Sequence, residues 1–385
     1  MCDNNPTTAF LGALDCLAES YLGYFRRASS EGGLFFSNGY GDMDPVMELR
    51  RLYRQDIRNG TVTFRLNDDD MEWRERVRHE NVFVTEGYFQ SPLHEILPQE
   101  SKRCRFHLVQ PLHYHHDNSS GTARSTTNPI VYVIMLASTG EAGKKSRLAM
   151  AQELAIEQGY ASIILTSPYY GHRKPSGQPS FYLQEVTDLW KQFGGTIQAA
   201  AALAEYFCRI NHRARICFTG FSAGGALAIC SAWAALEGYR MDGSRLGVAA
   251  YVAPASAGIY AKGSIQGLVD WKALKGIKTE ESHVTKQRLY ENLDLLSVSS
   301  ITGIEDSTGT TPQRQLGSIY FCAALRDSFS PSYFARILEE QLPPLVHDPA
   351  HCVIEWYPFG HVYAGLARPR LQKKLIVNAV RPLLS

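Results

Sequence analysis

From residue 130 onward, short apolar runs alternate with longer stretches in which apolar residues recur at helical spacing. A short uninterrupted apolar run is typical of a strand covered on both faces, and a 3.6-residue period is typical of a helix packed on one side. The apolar runs are residues 130–137, 161–166, 216–219, 247–253, 318–324 and 353–357. The helical stretches are residues 145–157, 186–210, 223–235, 332–342 and 366–383. Repeated strand–helix units predict an α/β fold with a mostly parallel central sheet and helices on both faces.

The chain before this alternation has a different pattern, and residues 1–80 are predicted to form an N-terminal helical extension. Within it, residues 7–27 and 45–54 have the spacing of helices. An amphipathic helix can lie on a lipid surface, but the acidic polar face of residues 7–27 favours packing on the core. Residues 81–90 and 103–109 then predict antiparallel strands at the start of the sheet.

The alternation is interrupted once more, between residues 257 and 315, where the chain is mixed and polar with one helix near residues 285–296. Long irregular insertions of this kind often cover a binding crevice. We therefore predict a lid-like insertion at 257–315 and a core that comprises residues 81–256 and 316–385.

Composition limits the classes of partner and the cellular compartments that are expected for the protein. The net charge is +1 with both signs interspersed, so nothing indicates a nucleic-acid partner. The eight cysteines include no CxxC pair, which is typical of a reducing compartment. No apolar run approaches the ~20 residues that span a bilayer, and the first residues lack the common targeting patterns. These features predict an intracellular protein, cytoplasmic or peripheral to an organelle membrane, and not a secreted one.

One stretch carries a recognisable chemical motif. Residues 220–225 read Gly-Phe-Ser-Ala-Gly-Gly, directly after an apolar strand and directly before an Ala-rich helix. This is G-x-S-x-G in the strand–turn–helix context of a nucleophile elbow. So sharp a turn leaves no room for side chains beside the serine and exposes its hydroxyl at the carboxyl end of the sheet. Ser222 is the predicted nucleophile.

A serine nucleophile needs a base, and the base needs an acid that orients it. Asp327 follows the strand at 318–324, and His361 follows the strand at 353–357 on what is predicted to be a loop. Because the carboxyl ends of parallel strands open on one crevice, Ser222, Asp327 and His361 are predicted to meet there. Each also has a structural interpretation, as a small residue in a tight turn, a capping aspartate and a helix N-terminal histidine.

Other residues of the same types fit less well. Asp306 lies inside the insertion and is the weaker candidate for the acid. None of the remaining loop histidines follows a glycine at the end of the last strand; they are His172, His347 and His351.

An acyl-transfer site also needs backbone N–H groups for the oxyanion. The amide of Ala223 comes with the elbow, and a second amide is predicted from the turn after residues 130–137, at Thr139 or Gly140. The same turn resembles a phosphate-binding P-loop, but it has Ser138 and Lys145 where that pattern needs Gly and Ser or Thr. No G-x-G-x-x-G follows a predicted strand, so no nucleotide cofactor is expected.

A histidine-rich stretch, residues 113–117, is the one candidate for a metal site. It reads His-Tyr-His-His-Asp and is followed by a polar linker at 118–128. A metal site would need a further ligand held in fixed geometry. We therefore expect these histidines on a loop, and no metal.

These motifs together resemble the alpha/beta hydrolase domain-containing protein 18 family. The most specific piece is the string Pro-Tyr-Tyr-Gly-x-Arg-Lys-Pro at 168–175, and the likeness extends to residues 86–92 and to Gly39-Tyr40-Gly41. The resemblance implies an α/β-hydrolase fold, a triad at the matching positions, and lipid ester substrates, among them mitochondrial phospholipids such as cardiolipin. It also makes a mitochondrial location an expectation. In one respect the chain departs from the family, whose oxyanion turn reads Ala-Gly-Thr-Gly where this chain has Ser138.

The string at 168–175 lies just past the end of a predicted strand, near the crevice. One hypothesis is that Arg173 and Lys174 pair with an anionic head group while Tyr169 and Tyr170 line the acyl path. The alternative is a rigid aromatic turn that supports the elbow, with the basic pair in solvent.

The function that these residues favour is hydrolysis of lipid or phospholipid acyl esters through a covalent intermediate on Ser222, with peripheral contact to a membrane. A catalytically silent fold that binds lipid or protein is the alternative from another class. Acyl transfer to an acceptor other than water would use the same residues and stays open.

Overall fold

A computed structural model of the 385-residue chain describes residues 33–57, 60, 64–112, 129–141, 143–275, 282–295, 297–303 and 314–385. The helices are α1 Asp44–Arg51, which continues as a π-helical turn Leu52–Ile57, α2 Lys145–Gln158, α3 Val186–Ile210, α4 Ala223–Gly238, α5 Ile259–Lys262, α6 Ser282–Asp294, α7 Val298–Thr302, α8 Ser332–Gln341 and α9 His361–Leu384. The strands are β1 Glu72–Trp73, β2 Val77–His79, β3 Val82–Gln90, β4 Arg103–Pro111, β5 Val131–Leu136, β6 Ala161–Leu165, β7 Arg215–Phe221, β8 Leu246–Tyr251, β9 Ser318–Ala324 and β10 Cys352–Tyr357.

The described strands form one ten-stranded sheet in the order β1-β3-β4-β6-β5-β7-β8-β9-β10, with β2 paired to β3. The sheet is parallel from β6 through β10, whereas β4 runs antiparallel to both of its neighbours. The strand order reverses at β5, because the chain goes from β5 outward to β6 and then returns to β7 on the other side. A crevice forms beyond the carboxyl ends of the strands at such a reversal.

Helices cover both faces of this sheet. Helices α3 and α4 pack on one face together with α1, and helices α2 and α9 pack on the other. The parallel strands at the centre are buried on both faces, which explains why they read as continuous apolar runs instead of alternating ones.

The first described residues join the core to the insertion. The amide of Leu34 donates to the carbonyl of Leu268, and the amide of Phe36 donates to the carbonyl of Leu183. The rings of Phe35 and Phe36 pack on the ring of Tyr260, with centroids 5.1 and 5.4 Å away. All three rings are buried.

The predicted α/β alternation agrees with the observed elements to within a few residues for most strands and helices, and the two predicted antiparallel strands are β3 and β4. The structure adds the short strands β1 and β2, inside the stretch predicted as a helical extension. It also starts α9 at His361 itself, not near residue 366, so the predicted loop position of this histidine is wrong. The predicted helix at 7–27, the histidines at 113–117 and Asp306 lie outside the described residues.

None of the described helices has both the length and the apolar character needed to cross a bilayer.

Candidate active site

Ser222 is the single residue between β7 and α4, and its backbone conformation is one that residues other than glycine rarely adopt. Its φ and ψ are 55° and −124°. Its amide donates to the carbonyl of Tyr251 at 2.9 Å, and its own carbonyl accepts from the amide of Gly225 at 2.8 Å. A conformation of this kind costs about 1–3 kcal/mol and persists only where its surroundings enforce it. The strained elbow predicted at this serine is therefore present.

Close approach of the strand and the helix explains the two glycines of the motif. A Cβ atom at Gly220 would lie 2.3 Å from the carbonyl carbon of Gly224. A Cβ atom at Gly224 would lie 2.7 Å from the carbonyl oxygen of Leu136, at the end of β5. Both distances are far inside van der Waals contact, so only glycine fits at either position.

Asp327 and His361 form a direct hydrogen-bonded pair. The Nδ1–H of His361 donates to Oδ2 of Asp327 at 2.7 Å. The second carboxylate oxygen of Asp327 accepts from the amide of Ser330, also at 2.7 Å. The Asp327 side chain is 2% exposed and the His361 side chain 14% exposed. The pair is thus held in one orientation away from most of the solvent, with the histidine nearer to the crevice.

Two aromatic rings hold the imidazole of His361 beside the elbow. The ring of Phe329 stacks on it with a centroid distance of 5.5 Å. The ring of Phe221, the residue before Ser222, lies 4.9 Å from it. The structure therefore brings the Asp327–His361 pair to the elbow through the side chain that precedes Ser222.

The register between β5 and β7 brings the second predicted oxyanion segment to the same place. Leu136 is opposite Gly220, so the turn at residues 138–141 lies beside the elbow. Across the described part of the chain, no acceptor pairs with the amides of Thr139 or Ala223. The amide of Gly140, in contrast, already donates to the hydroxyl of Tyr170 at 3.0 Å. Of the two predicted donors on this turn, Thr139 is the one whose amide is available.

The predicted substrate-binding residues of the 168–175 string belong to a tightly packed turn. Tyr169 and Tyr170 are each 4% exposed and Arg173 is 1% exposed. The Arg173 guanidinium donates to the carbonyls of Thr166 and Ser101, and the Lys174 ammonium donates to the carbonyl of Gln178. In this arrangement Arg173 is neither in solvent nor accessible to a head group.

The ionisation of Tyr169 reflects the same packing. Burial raises its pKa above the usual range, and the neighbouring carboxylate of Asp188 raises it further through a hydrogen bond. Tyr169 therefore stays neutral and acts as a donor to Asp188, a structural role within the turn.

A narrow apolar cavity opens next to the available amides. Its walls include Thr139 and Ala223 and, farther along α4, Ala226 and Leu227. Residues of the predicted insertion also line it, among them Tyr260. The cavity volume is about 10 Å³, close to the space of one water molecule.

Thr139 and Ala223 are predicted oxyanion residues, but the other cavity residues named here were not predicted from the sequence. The i, i+3, i+4 spacing from Ala223 along α4 could have identified Ala226 and Leu227 as one helix face. No local pattern could have identified Tyr260, because it lies in an irregular stretch and reaches the cavity only through the fold. Within the described ranges, no three side chains of metal-ligating type come together.

Comparison with known proteins agrees with this architecture. The model of a family described as "Alpha/beta hydrolase domain containing 18" matches residues 33–316, well over half of the chain. The matched range includes Ser222 and the turn at 138–141 but ends before Asp327 and His361.

Two solved structures to which the chain is similar are esterases of distant sequence. An acetyl xylan esterase from Paenibacillus sp. R4 is 12% identical, with a TM-score of 0.50 over 88% of this chain and 97% of its own. A thermostable esterase from Pseudomonas putida ECU1011 is 12% identical, with a TM-score of 0.42 over 95% of each chain. At such identity the first of these likenesses shows the fold alone. With the family match, it confirms the predicted α/β-hydrolase fold.

Proposed function

The chain belongs to the alpha/beta hydrolase domain containing 18 family, and on this premise we propose that it is a serine hydrolase that cleaves acyl esters of lipids. One observation carries the proposal: a strained serine elbow lies against a histidine that is hydrogen-bonded to a buried aspartate at 2.7 Å. A purely structural serine would not need its backbone held at a cost of about 1–3 kcal/mol. This favours an enzyme over a silent binding fold.

The reaction proceeds in two halves. His361 accepts the Ser222 proton as Oγ attacks the ester carbonyl, and it then gives that proton to the leaving alcohol. Asp327 keeps Nδ1 of the imidazole protonated and stabilises the imidazolium. A water molecule, activated by His361, hydrolyses the acyl-enzyme in the second half. The amides of Ala223 and Thr139 donate to the oxyanion in both halves.

The lipid part of the proposal is supported by the position of the apolar cavity. A carbonyl oxygen held between the amides of Thr139 and Ala223 places the attached acyl chain at the mouth of a cavity that these same two residues line. Hydrocarbon is the group that gains most from apolar walls. The cavity is about the size of one water, so a longer chain requires insertion residues that line it, such as Tyr260, to move outward.

The direct test is covalent labelling of the full chain with a fluorophosphonate, which traps a serine that has an activated hydroxyl. We expect phosphonylation of native protein and, by mass spectrometry of the digest, attachment at Ser222. Heat-unfolded protein is the control and should stay unlabelled, because activation requires the folded His361–Asp327 pair. Absence of label on folded protein, or label at another serine, would reject the proposed nucleophile.

Acyl selectivity tests the cavity separately. Replacing Ala226 with valine adds two carbons to the cavity wall on α4, so we expect kcat/KM for an octanoyl ester to fall about tenfold. An acetyl ester does not reach Ala226 and should keep its kcat/KM in the same variant. The melting temperature of the variant controls for overpacking. If both esters lose activity equally, the acyl chain does not occupy this cavity.

A further inference from the structure

The last residue of the turn at 138–141 is Glu141, whose carboxylate is largely shielded from solvent, with its side chain 12% exposed. Oε2 of Glu141 accepts from the amide of Ser138 at 3.1 Å and from the Ser138 hydroxyl at 3.2 Å. Oε1 accepts from Nε of Arg147 at 3.1 Å and from the hydroxyl of Ser146 at 2.9 Å. Nη1 of Arg368 donates to Oε2 at 3.2 Å. Five donors from Ser138, Ser146, Arg147 and Arg368 thus converge on this one side chain.

The arginines connect Glu141 to the rigid parts of the site. Arg147 donates to the carbonyls of Met135 and Leu165, at the carboxyl ends of β5 and β6. Arg368 lies on α9, the helix that begins with His361, and both arginine side chains are buried. Glu141 therefore links the turn to the sheet edge and to the helix that carries the histidine.

From Arg368 the hydrogen bonds continue beneath the elbow. Nε of Arg368 donates to Gln372 at 2.7 Å, and Gln372 donates to the hydroxyl of Thr219 at 2.9 Å. Thr219 lies on β7 and in turn donates to the carbonyl of Ala249 on β8. The turn and the elbow strand consequently share one chain of buried hydrogen bonds.

The charge state of Glu141 suits this arrangement. Burial opposes ionisation, but the guanidinium groups of Arg147 and Arg368 outweigh it and hold the pKa below the usual range for glutamate. As a carboxylate, Glu141 can accept from all of these donors at once. Removing one partner of such a buried network is costly, so its geometry is strongly specified.

The turn is also held from its opposite side. The amide of Gly140 donates to the hydroxyl of Tyr170 at 3.0 Å, and Tyr170 is buried. Glu141 thus binds the residue before Thr139, and Tyr170 binds the residue after it. Thr139 lies between two anchored neighbours, and its own amide has no acceptor among the residues that the structure describes.

We propose that Glu141 and Tyr170 are positioning residues that hold the 138–141 turn so that the Thr139 amide faces the oxyanion. This inference rests on the proposed ester hydrolysis and assigns the second oxyanion donor of that reaction. It also gives Ser138 a role, because its hydroxyl donates to Glu141 and helps to anchor the turn.

The test compares an oxygen ester with its thionoester analogue in Glu141→Gln. Glutamine has the size of glutamate but one acceptor oxygen and two N–H donors, so it cannot satisfy Ser138 and both arginines together. Sulfur accepts hydrogen bonds weakly, so the thionoester depends less on the oxyanion amides. We expect kcat for the oxygen ester to fall about 10- to 100-fold with KM nearly unchanged. The rate on the thionoester should fall much less, so the ratio of the oxygen-ester rate to the thionoester rate decreases.

Tyr170→Phe is the second variant. It leaves no buried charge unpaired, so it serves as the test if Glu141→Gln fails to fold. It removes the acceptor for the Gly140 amide, together with the hydrogen bond between the hydroxyl and the Gln192 side chain, and should lower the same ratio by a smaller factor. Glu153→Gln is the matched control. Like Glu141, Glu153 pairs with a cation on α9, but it lies on α2 and its ion pair with Lys373 is at the surface. Its ratio should equal that of the wild type.

The outcomes separate this inference from the function on which it rests. An equal loss on both esters, or no loss, in the folded variants would overturn the positioning role while leaving ester hydrolysis intact. If the wild-type chain hydrolyses neither ester, or does so independently of Ser222, the proposed function itself is rejected.

Discussion

Replacing Ser222 with alanine is expected to lower kcat for ester hydrolysis by about 10⁶-fold, the loss seen when the nucleophile of a serine hydrolase is removed. The substitution deletes one oxygen and leaves His361, Asp327 and both oxyanion amides in place. Alanine and serine both have a Cβ atom, so the strain at φ 55° is the same in either. The melting temperature should therefore hardly change while activity disappears.

Ser231→Ala is the matched control for this measurement. Ser231 is another buried serine on α4, and its hydroxyl has no hydrogen-bond partner within the described chain. Its removal should alter neither kcat nor the melting temperature appreciably. A Ser222→Ala protein that keeps more than about one per cent of wild-type kcat would mean that the reaction uses another nucleophile.

Replacing Asp327 with asparagine is expected to lower kcat about 10⁴-fold at neutral pH with little effect on folding. The reason is the second hydrogen bond of this side chain. The amide of Ser330 donates to Oδ1 and needs an acceptor there, so the asparagine oxygen faces Ser330. The asparagine NH₂ then faces Nδ1 of His361, where a donor now stands. The imidazole is forced into the tautomer that is protonated at Nε2 and cannot accept the Ser222 proton.

Steady-state kinetics at pH 7, with the melting temperature alongside, checks this result. Asp242→Asn provides the comparison, because Asp242 also accepts from a backbone amide, that of Ser244, but is exposed on a distant turn. This control should retain full activity. If Asp327→Asn instead unfolds the protein and activity follows the folded fraction, Asp327 is a capping aspartate and not the acid of a triad.

The parts of the site that could be predicted from sequence are those set by local constraints. Gly220 and Gly224 must be glycine because atoms a few residues away, or at the end of the neighbouring strand, leave no room for a Cβ atom. The elbow can therefore be recognised as a sequence motif. Asp327 and His361 follow neighbouring parallel strands, β9 and β10, whose carboxyl ends necessarily lie side by side. Strand order alone brings these two residues together.

The parts that could not be predicted depend on contacts between distant segments. The sequence leaves Arg173 either in contact with a head group or in solvent. In the structure it is buried, and its guanidinium donates to the carbonyls of Thr166 and Ser101. Glu141 and Arg368 are far apart in sequence, and nothing in either neighbourhood indicates the other. The catalytic roles of Ser222, Asp327 and His361 stay predictions until the kinetics are measured.

The contacts of the first described residues determine when the cavity can be completed during synthesis. Leu34 and Phe36 leave the ribosome early, but their partners Leu268 and Leu183 are made much later. Tyr260, which lines the cavity and packs on Phe35 and Phe36, is also synthesised later than those two residues. Domains tend to fold as their chains emerge, and contacts between distant residues form slowly. Tyr260 follows the elbow and its helix in the chain, so this wall of the cavity is synthesised after Ser222 and closes on Phe35 and Phe36 only once both distant segments are present.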